Sequence, residues 1–177
     1  MDASLSMLSP FSGQQLKTQS DTAFSNTMAA AEYFVRMRMK GKYRDLIALE
    51  QFGNEAYVIT PFTTDYENLL LSLKMISDVN EWQRFPDQGT IIMKAIDEGV
   101  DLFNAFDFLK SSGNIMVIFS DGQDNNVQIG DMSLDQVLKK AVDNKVPVYM
   151  IRTAYARGLF DDQLAALAAE SRAFGTR

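Results

Sequence analysis

This chain of 177 residues contains no cysteine and no histidine. Without cysteine there are no disulfides, no thiolate metal sites and no thiol nucleophile. Without histidine there is no serine–histidine triad, no zinc site of the usual kind and no imidazole acid–base chemistry. Positive charge is scarce and scattered: 17 Lys and Arg against 23 Asp and Glu leave a formal charge of -6. A nucleic-acid partner is not expected, because phosphate recognition needs a clustered basic surface. No apolar run is long enough to cross a bilayer and no signal peptide can be read, so direct membrane insertion by these residues is not expected. The compartment is left open. What remains for chemistry is carboxylates and hydroxyls, which are ligands for hard cations such as Mg²⁺ or Mn²⁺.

The apolar fraction is 46%, ordinary for a globular chain, and the length suits one domain over 1–177. Phe24, Met28, Ala31 and Val35 recur at helical spacing, which predicts a helix from about Asp21 to Lys40, with Ser20 as N-cap and Gly41 as stop. A strand over 45–52 and its return from Ala56 to Thr60 are joined by a two-residue turn at Gly53-Asn54. Pro61 then marks an edge, because it cannot donate to a ladder. Thr64-x-x-Glu67 reads as a capping box that opens a helix to about Met75. Trp82 and Phe85 fall on a loop, and a longer helix opens after Gly89-Thr90 with Ile92, Ala95, Ile96 and Phe103 inward. Asp97, Glu98 and Asp101 read as its solvated face, and the ten methionines as core filler.

The stretch from Asn114 to Asn126 organises the rest. Ile115 to Phe119 is an unbroken apolar run ended by Ser120-Asp121-Gly122, as in a parallel strand buried on both faces. Asp121 would then stand at a strand's carboxyl end, where open α/β sheets bind ligands; read alone, the same residues also fit a plain turn. A second capping box, Ser133-x-x-Gln136, opens a helix with Leu134, Val137, Leu138, Ala141 and Val142 on one face. A buried strand over Val146–Ile151 and a helix over 161–171 follow. Helices alternating with buried strands predict an α/β fold: a three-layer α/β/α sandwich with a Rossmann-like, mostly parallel sheet and one antiparallel edge hairpin strand.

Asp2, Ser4 and Ser6 alternate, so their side chains can converge from one tight loop; Thr90 begins a helix and Asp121 ends a strand. Two carboxylates and three hydroxyls make an all-oxygen set suited to a six-coordinate hard cation with water filling the gaps. Taken singly, the serines read as loop hydroxyls and Thr90 as an N-cap. The three pieces D-A-S-L-S-M, D-Q-G-T and F-S-D-G-Q-D-N occur in an order and spacing that resembles a von Willebrand factor type A domain of bacterial type, with a metal-ion-dependent adhesion site. Pro61-Phe62-Thr63-Thr64-Asp65 also sits where that bacterial group has a P-F-T-x-D signature.

The resemblance implies that Ser4, Ser6 and Thr90 coordinate Mg²⁺ (or Mn²⁺) through their hydroxyls. Asp2 and Asp121 would hold it mostly through water, and one position would stay open for an Asp or Glu carboxylate of a protein partner. Asp124 would support the loop. The implied activity is non-catalytic protein binding, in adhesion or as an assembly subunit. Two departures stand out: Leu5 replaces a frequent glycine, and only Met1 precedes Asp2 where the family has a central strand. The chain is therefore expected to be a fragment of a longer protein, or a mis-started reading frame, truncated at the first strand and near the last. The alternative is a metal-dependent phosphohydrolase of the haloacid-dehalogenase-like kind. That chemistry needs a general-acid aspartate two residues after the first, and this chain has Ser4 there.

Overall fold

The computed structural model describes residues 1–8, 22–78, 89–109, 111–121 and 133–153. The expectations for Ser20, Trp82, Phe85, Asp124 and the helix over 161–171 lie outside them. Within them the order is a short 3-10 turn Leu5–Leu8, α1 Ala23–Met39, β1 Ile47–Phe52, β2 Ala56–Thr63, α2 Tyr66–Ile76, α3 Ile92–Ala105, β3 Met116–Ser120, α4 Leu134–Asp143 and β4 Val148–Arg152. The fold is α/β. Its strands form one antiparallel pair, β1 with β2, and one parallel pair, β3 with β4.

Between the two pairs lies the amino terminus. The Asp2 amide donates to the Phe119 carbonyl (3.0 Å), the Ala3 amide to the Phe52 carbonyl (2.8 Å), and the Phe52 amide to the Met1 carbonyl (2.9 Å). Asp2 thus forms a parallel bridge with Phe52. The hydrogen-bonded order across the molecule is β2, β1, Met1–Ala3, β3, β4.

Two apolar clusters pack around this row. One joins Phe24, Met28, Ala31 and Val35 of α1 to Leu69 and Leu73 of α2, with Leu49 and Phe119 from the strands. The other joins Ile92, Ala95, Ile96 and Val100 of α3 to Leu134, Val137 and Ala141 of α4, with Phe52 and Ile118. Phe52 and Leu49 take opposite clusters, as do Ile118 and Phe119, because successive strand residues point to opposite faces.

Several element boundaries differ from expectation, each for a local reason. The N-cap of α1 is Thr22, whose hydroxyl accepts from the Ser25 amide (3.0 Å). The cap of α2 is Asp65 rather than Thr64: its carboxylate accepts from the Asn68 amide (3.1 Å) and suits the positive end of the helix. The β1–β2 turn has three residues, with the Gly53 amide bonded to the Glu55 carbonyl (2.9 Å). β2 runs on through Pro61 to Thr63, with surplus β2 residues shifting the register between Ile47 and Glu50 of β1. The Ser133–Gln136 capping box is present as read. β4 is less covered than a doubly buried strand, with Tyr149 and Ile151 exposed. Asp97 and Asp101 do not simply face solvent: both pair with Lys140 (2.6 and 2.7 Å), tying α3 to α4.

Candidate functional site

The carboxyl ends of β1 and β3, with Met1–Ala3 between them, bring several polar side chains into the interior. Asp2, Ser4, Thr90, Ser120 and Asp121 are all buried, and Ser6 is half-buried. Burying a polar group is costly unless it finds a partner, so the partners of each are informative.

Asp2 is held on both oxygens. Its Oδ1 accepts from the Ser4 amide (2.9 Å) and its Oδ2 from the Ser120 hydroxyl (2.5 Å). The first bond folds the loop back on itself; the second ties it to the end of β3. Burial, with Asp121 close by, pushes the Asp2 carboxyl up to about 6, although the bonds from Ser120 and Ser4 pull it down. Each oxygen retains a lone pair after these bonds.

The hydroxyls of Ser4 and Ser6 lie 2.9 Å apart. The 3-10 turn over Leu5–Leu8 makes this possible, closing with the Met7 amide on the Ser4 carbonyl (3.2 Å). Met7 is fully buried and accepts a weak bond from Thr153, so the loop is pinned from below. The only described non-glycine residue with positive φ is Lys145.

Thr90 is not the cap of the helix it precedes. The N-cap position of α3 belongs to Ile91, with no side-chain cap bond. The Ile91 amide donates to the Gly53 carbonyl (2.8 Å), which holds Thr90 beside the end of β1, one residue beyond the Asp2–Phe52 bridge. The Thr90 hydroxyl is fully buried and has no hydrogen-bond partner among the described residues. Such orphaned groups in a native fold call for an explanation, an ion or water among them. Thr27 has another buried hydroxyl without a described partner, but it lies within α1, not at a strand end.

All five residues expected for the site therefore fall at one end of the strand row: Asp2, Ser4 and Ser6 on the loop, Thr90 beyond β1, Asp121 beyond β3. Ser120 was not anticipated as a participant. Its place beside Asp121 in S-D-G suggests only a turn, whereas its bond to Asp2 spans 118 residues of sequence. Among the described residues no cluster of three or more carboxylates could hold a metal. A cation here would depend on hydroxyls and water as much as on charge. The donor set fits that demand: oxygen only, two carboxylates already buried, and a hydroxyl lacking a partner among the described residues.

Solved structures that share the fold include two from Bacteroides. A conserved hypothetical protein BatB from Bacteroides thetaiotaomicron matches with a TM-score of 0.68 at 17% identity, over 96% of this chain and 82% of that one. An aerotolerance-related membrane protein from Bacteroides fragilis matches with a TM-score of 0.65 at 17% identity, over 96% of this chain and 84% of that one. No curated protein matches. The family model of the von Willebrand factor type A domain matches residues 1–176, and the chain belongs to that family.

Proposed function

We propose that this chain is a single-domain, non-catalytic protein-binding module whose recognition depends on Mg²⁺ or Mn²⁺. In this reading Ser4, Ser6 and Thr90 offer hydroxyls to the ion, and Asp2 and Asp121 hold it mainly through water. A position left open takes an Asp or Glu carboxylate from a protein partner, in adhesion or in assembly. The observation that carries the reading is the buried Thr90 hydroxyl without a described partner, at the same strand ends as two buried carboxylates. When bound, the ion supplies a Lewis-acidic point of attachment, and few direct anionic ligands keep it attractive to an incoming carboxylate. The chain's own residues do the rest. Ser120 and the Ser4 amide orient Asp2, and Met7 anchors the loop. The reading extends to the sheet, with α1 and α2 on one side and α3 and α4 on the other as a three-layer sandwich.

The test is thermal unfolding with Mg²⁺ and with chelator, on the parent chain and on Asp121→Ala. An ion that binds only the folded state stabilises it by about 2.7 kcal/mol at a hundredfold excess over its dissociation constant. For a domain of this size that is a rise of roughly 5–11 °C. The rise should vanish in Asp121→Ala while the chelated melt stays cooperative. A parent indifferent to Mg²⁺ and Mn²⁺ would remove the metal from the proposal.

A further inference from the structure

Positive charge is scarce in this chain, but it is not scattered throughout. Five of the 17 Lys and Arg lie in the nine residues 36–44, which contain no carboxylate. This stretch, R-M-R-M-K-G-K-Y-R, ends α1 and begins the connection to β1. Two of the five cations have a structural role. Arg36 and Arg38 stand in the last turn of α1, where cations suit the negative end of a helix. Arg36 pairs with Glu32 (2.7 Å), and Arg38 pairs with Asp45. Lys40, Lys42 and Arg44 are exposed and have no carboxylate partner among the described residues.

Hydrogen bonds hold this segment in place. The Gly41 amide bonds the Arg38 carbonyl (3.0 Å), the Arg38 guanidinium bonds the Asp45 carboxylate, and the Tyr66 hydroxyl donates to the Asp45 carbonyl (2.9 Å). Apolar side chains stand uncovered between the cations: Tyr33 and Tyr43 are 67% and 68% exposed, Met37 and Met39 48% and 40%. Tyr33, Met37 and Lys40 follow one another at i, i+4 and i+7 along the outer face of α1. The Lys42 ammonium lies 5.7 Å from the centre of the Tyr43 ring. The segment is also remote from the strand ends that gather Asp2, Thr90 and Asp121. β1 leads from Ile47, close to it in sequence, to Phe52 beside Asp2, a rise of roughly 17 Å.

We propose that residues 36–44 dock this domain on an anionic phospholipid surface, by the end opposite its candidate metal site. Each Lys or Arg near such a surface strengthens binding about fivefold. Tyrosine suits headgroup depth, having an apolar ring and a polar hydroxyl. Composition favours lipid over a protein partner, since protein interfaces are depleted in lysine and two lysines stand here among the apolar groups. A nucleic acid would draw on aromatic stacking platforms between the cations, and the methionines between Arg36, Arg38 and Lys40 provide none. Outside this segment acidic residues outnumber basic ones, so the field of the whole molecule turns this end toward a negative surface. The opposite end is then left free for a partner. The inference does not require the metal, so its test is made in chelator.

The test is co-sedimentation of the full chain with vesicles at low salt. The vesicles are either phosphatidylcholine alone or equal parts phosphatidylcholine and phosphatidylglycerol. Binding is expected to the anionic vesicles only, to be lost as salt rises, and to slow hydrogen exchange at residues 39–45 but not at Asp2 or Asp121. Lys40→Gln, Lys42→Gln and Arg44→Gln together should weaken binding about a hundredfold, at about fivefold per charge. The melting temperature should not change, because none of the three is in an ion pair with a described residue. Met37→Ser with Tyr43→Ser should weaken binding several-fold and leave its salt dependence as in the parent. The proposal would be overturned by absent binding, by equal binding to phosphatidylcholine, or by a variant of either kind that binds like the parent. Capture by poly-glutamate or duplex DNA in preference to the vesicles would overturn it as well.

Discussion

Thr90 and Glu50 show how single side chains set the behaviour of this interior. A buried hydroxyl left without a partner costs about 1–3 kcal/mol, so Thr90→Val should leave the chelated protein as stable as the parent or more so. If Thr90 helps hold an ion, the same change should abolish most of the Mg²⁺-induced rise in melting temperature. Thr27→Val is the matched control, equally buried and equally without a described partner. It should shift the chelated melt alone and leave the response to Mg²⁺ intact. Glu50 makes a second test. Burial pushes its carboxyl up to about 7, with Glu98 adding to the rise and the amino terminus opposing it. The folded state then holds a proton more tightly than the unfolded one, so stability falls as pH rises from about 4.5 to about 7. The Met1 amino group, lowered to about 6 by burial, gives the opposite slope between about 6 and 8. Comparison with Glu50→Gln separates the two. The variant should match the parent near pH 4.5 and exceed it above pH 7, by something on the order of 1–3 kcal/mol for a half-buried group. Parallel pH–melting curves for the two proteins would contradict this.

At the scale of elements, the end of α4 is a Schellman closure. The Lys145 amide bonds the Val142 carbonyl (2.9 Å), the Val146 amide bonds the Ala141 carbonyl (2.9 Å), and Lys145 sits at φ 57°. Glycine takes that conformation without the steric cost that an L side chain meets, roughly 1–2 kcal/mol. Lys145→Gly should therefore stabilise the chain by about 1 kcal/mol, or roughly 2–4 °C, and a lower melting temperature would count against the assignment. The capping box before α4 was legible in Ser133-x-x-Gln136 because both partners lie within four residues of each other. The caps of α1 and α2 were misplaced by one or two residues. Thr22 and Asp65 stand close to equally plausible hydroxyls, and only the helix's final orientation decides which one meets the amide. The strand at 116–120 was readable as a continuous apolar run, whereas the half-open face of β4 was not.

For the whole molecule, the polar residues of three distant segments meet because strands of one row end at the same level. Asp2 is joined to Phe52 and to Phe119 by backbone bonds, and to Ser120 through its side chain. If Mg²⁺ binds there, it couples the loop, β1 and β3, so its stabilisation should report on the whole domain and not on a local loop.

The sequence by itself determined the chemistry available: oxygen ligands only, for want of cysteine and histidine. It also determined the family, because D-A-S-L-S, G-T and S-D-G fall in order at strand and helix ends. Those are local patterns, set by spacing and residue type. The tertiary structure decided what depends on contacts across the chain. It relieved Thr90 of its capping role, gave Asp2 its second bond through Ser120, and put Met1–Ala3 between two strand pairs. It also buried Glu50 enough to move its proton affinity. Each of these depends on groups separated by tens of residues, and no local pattern encodes which of them desolvates the others.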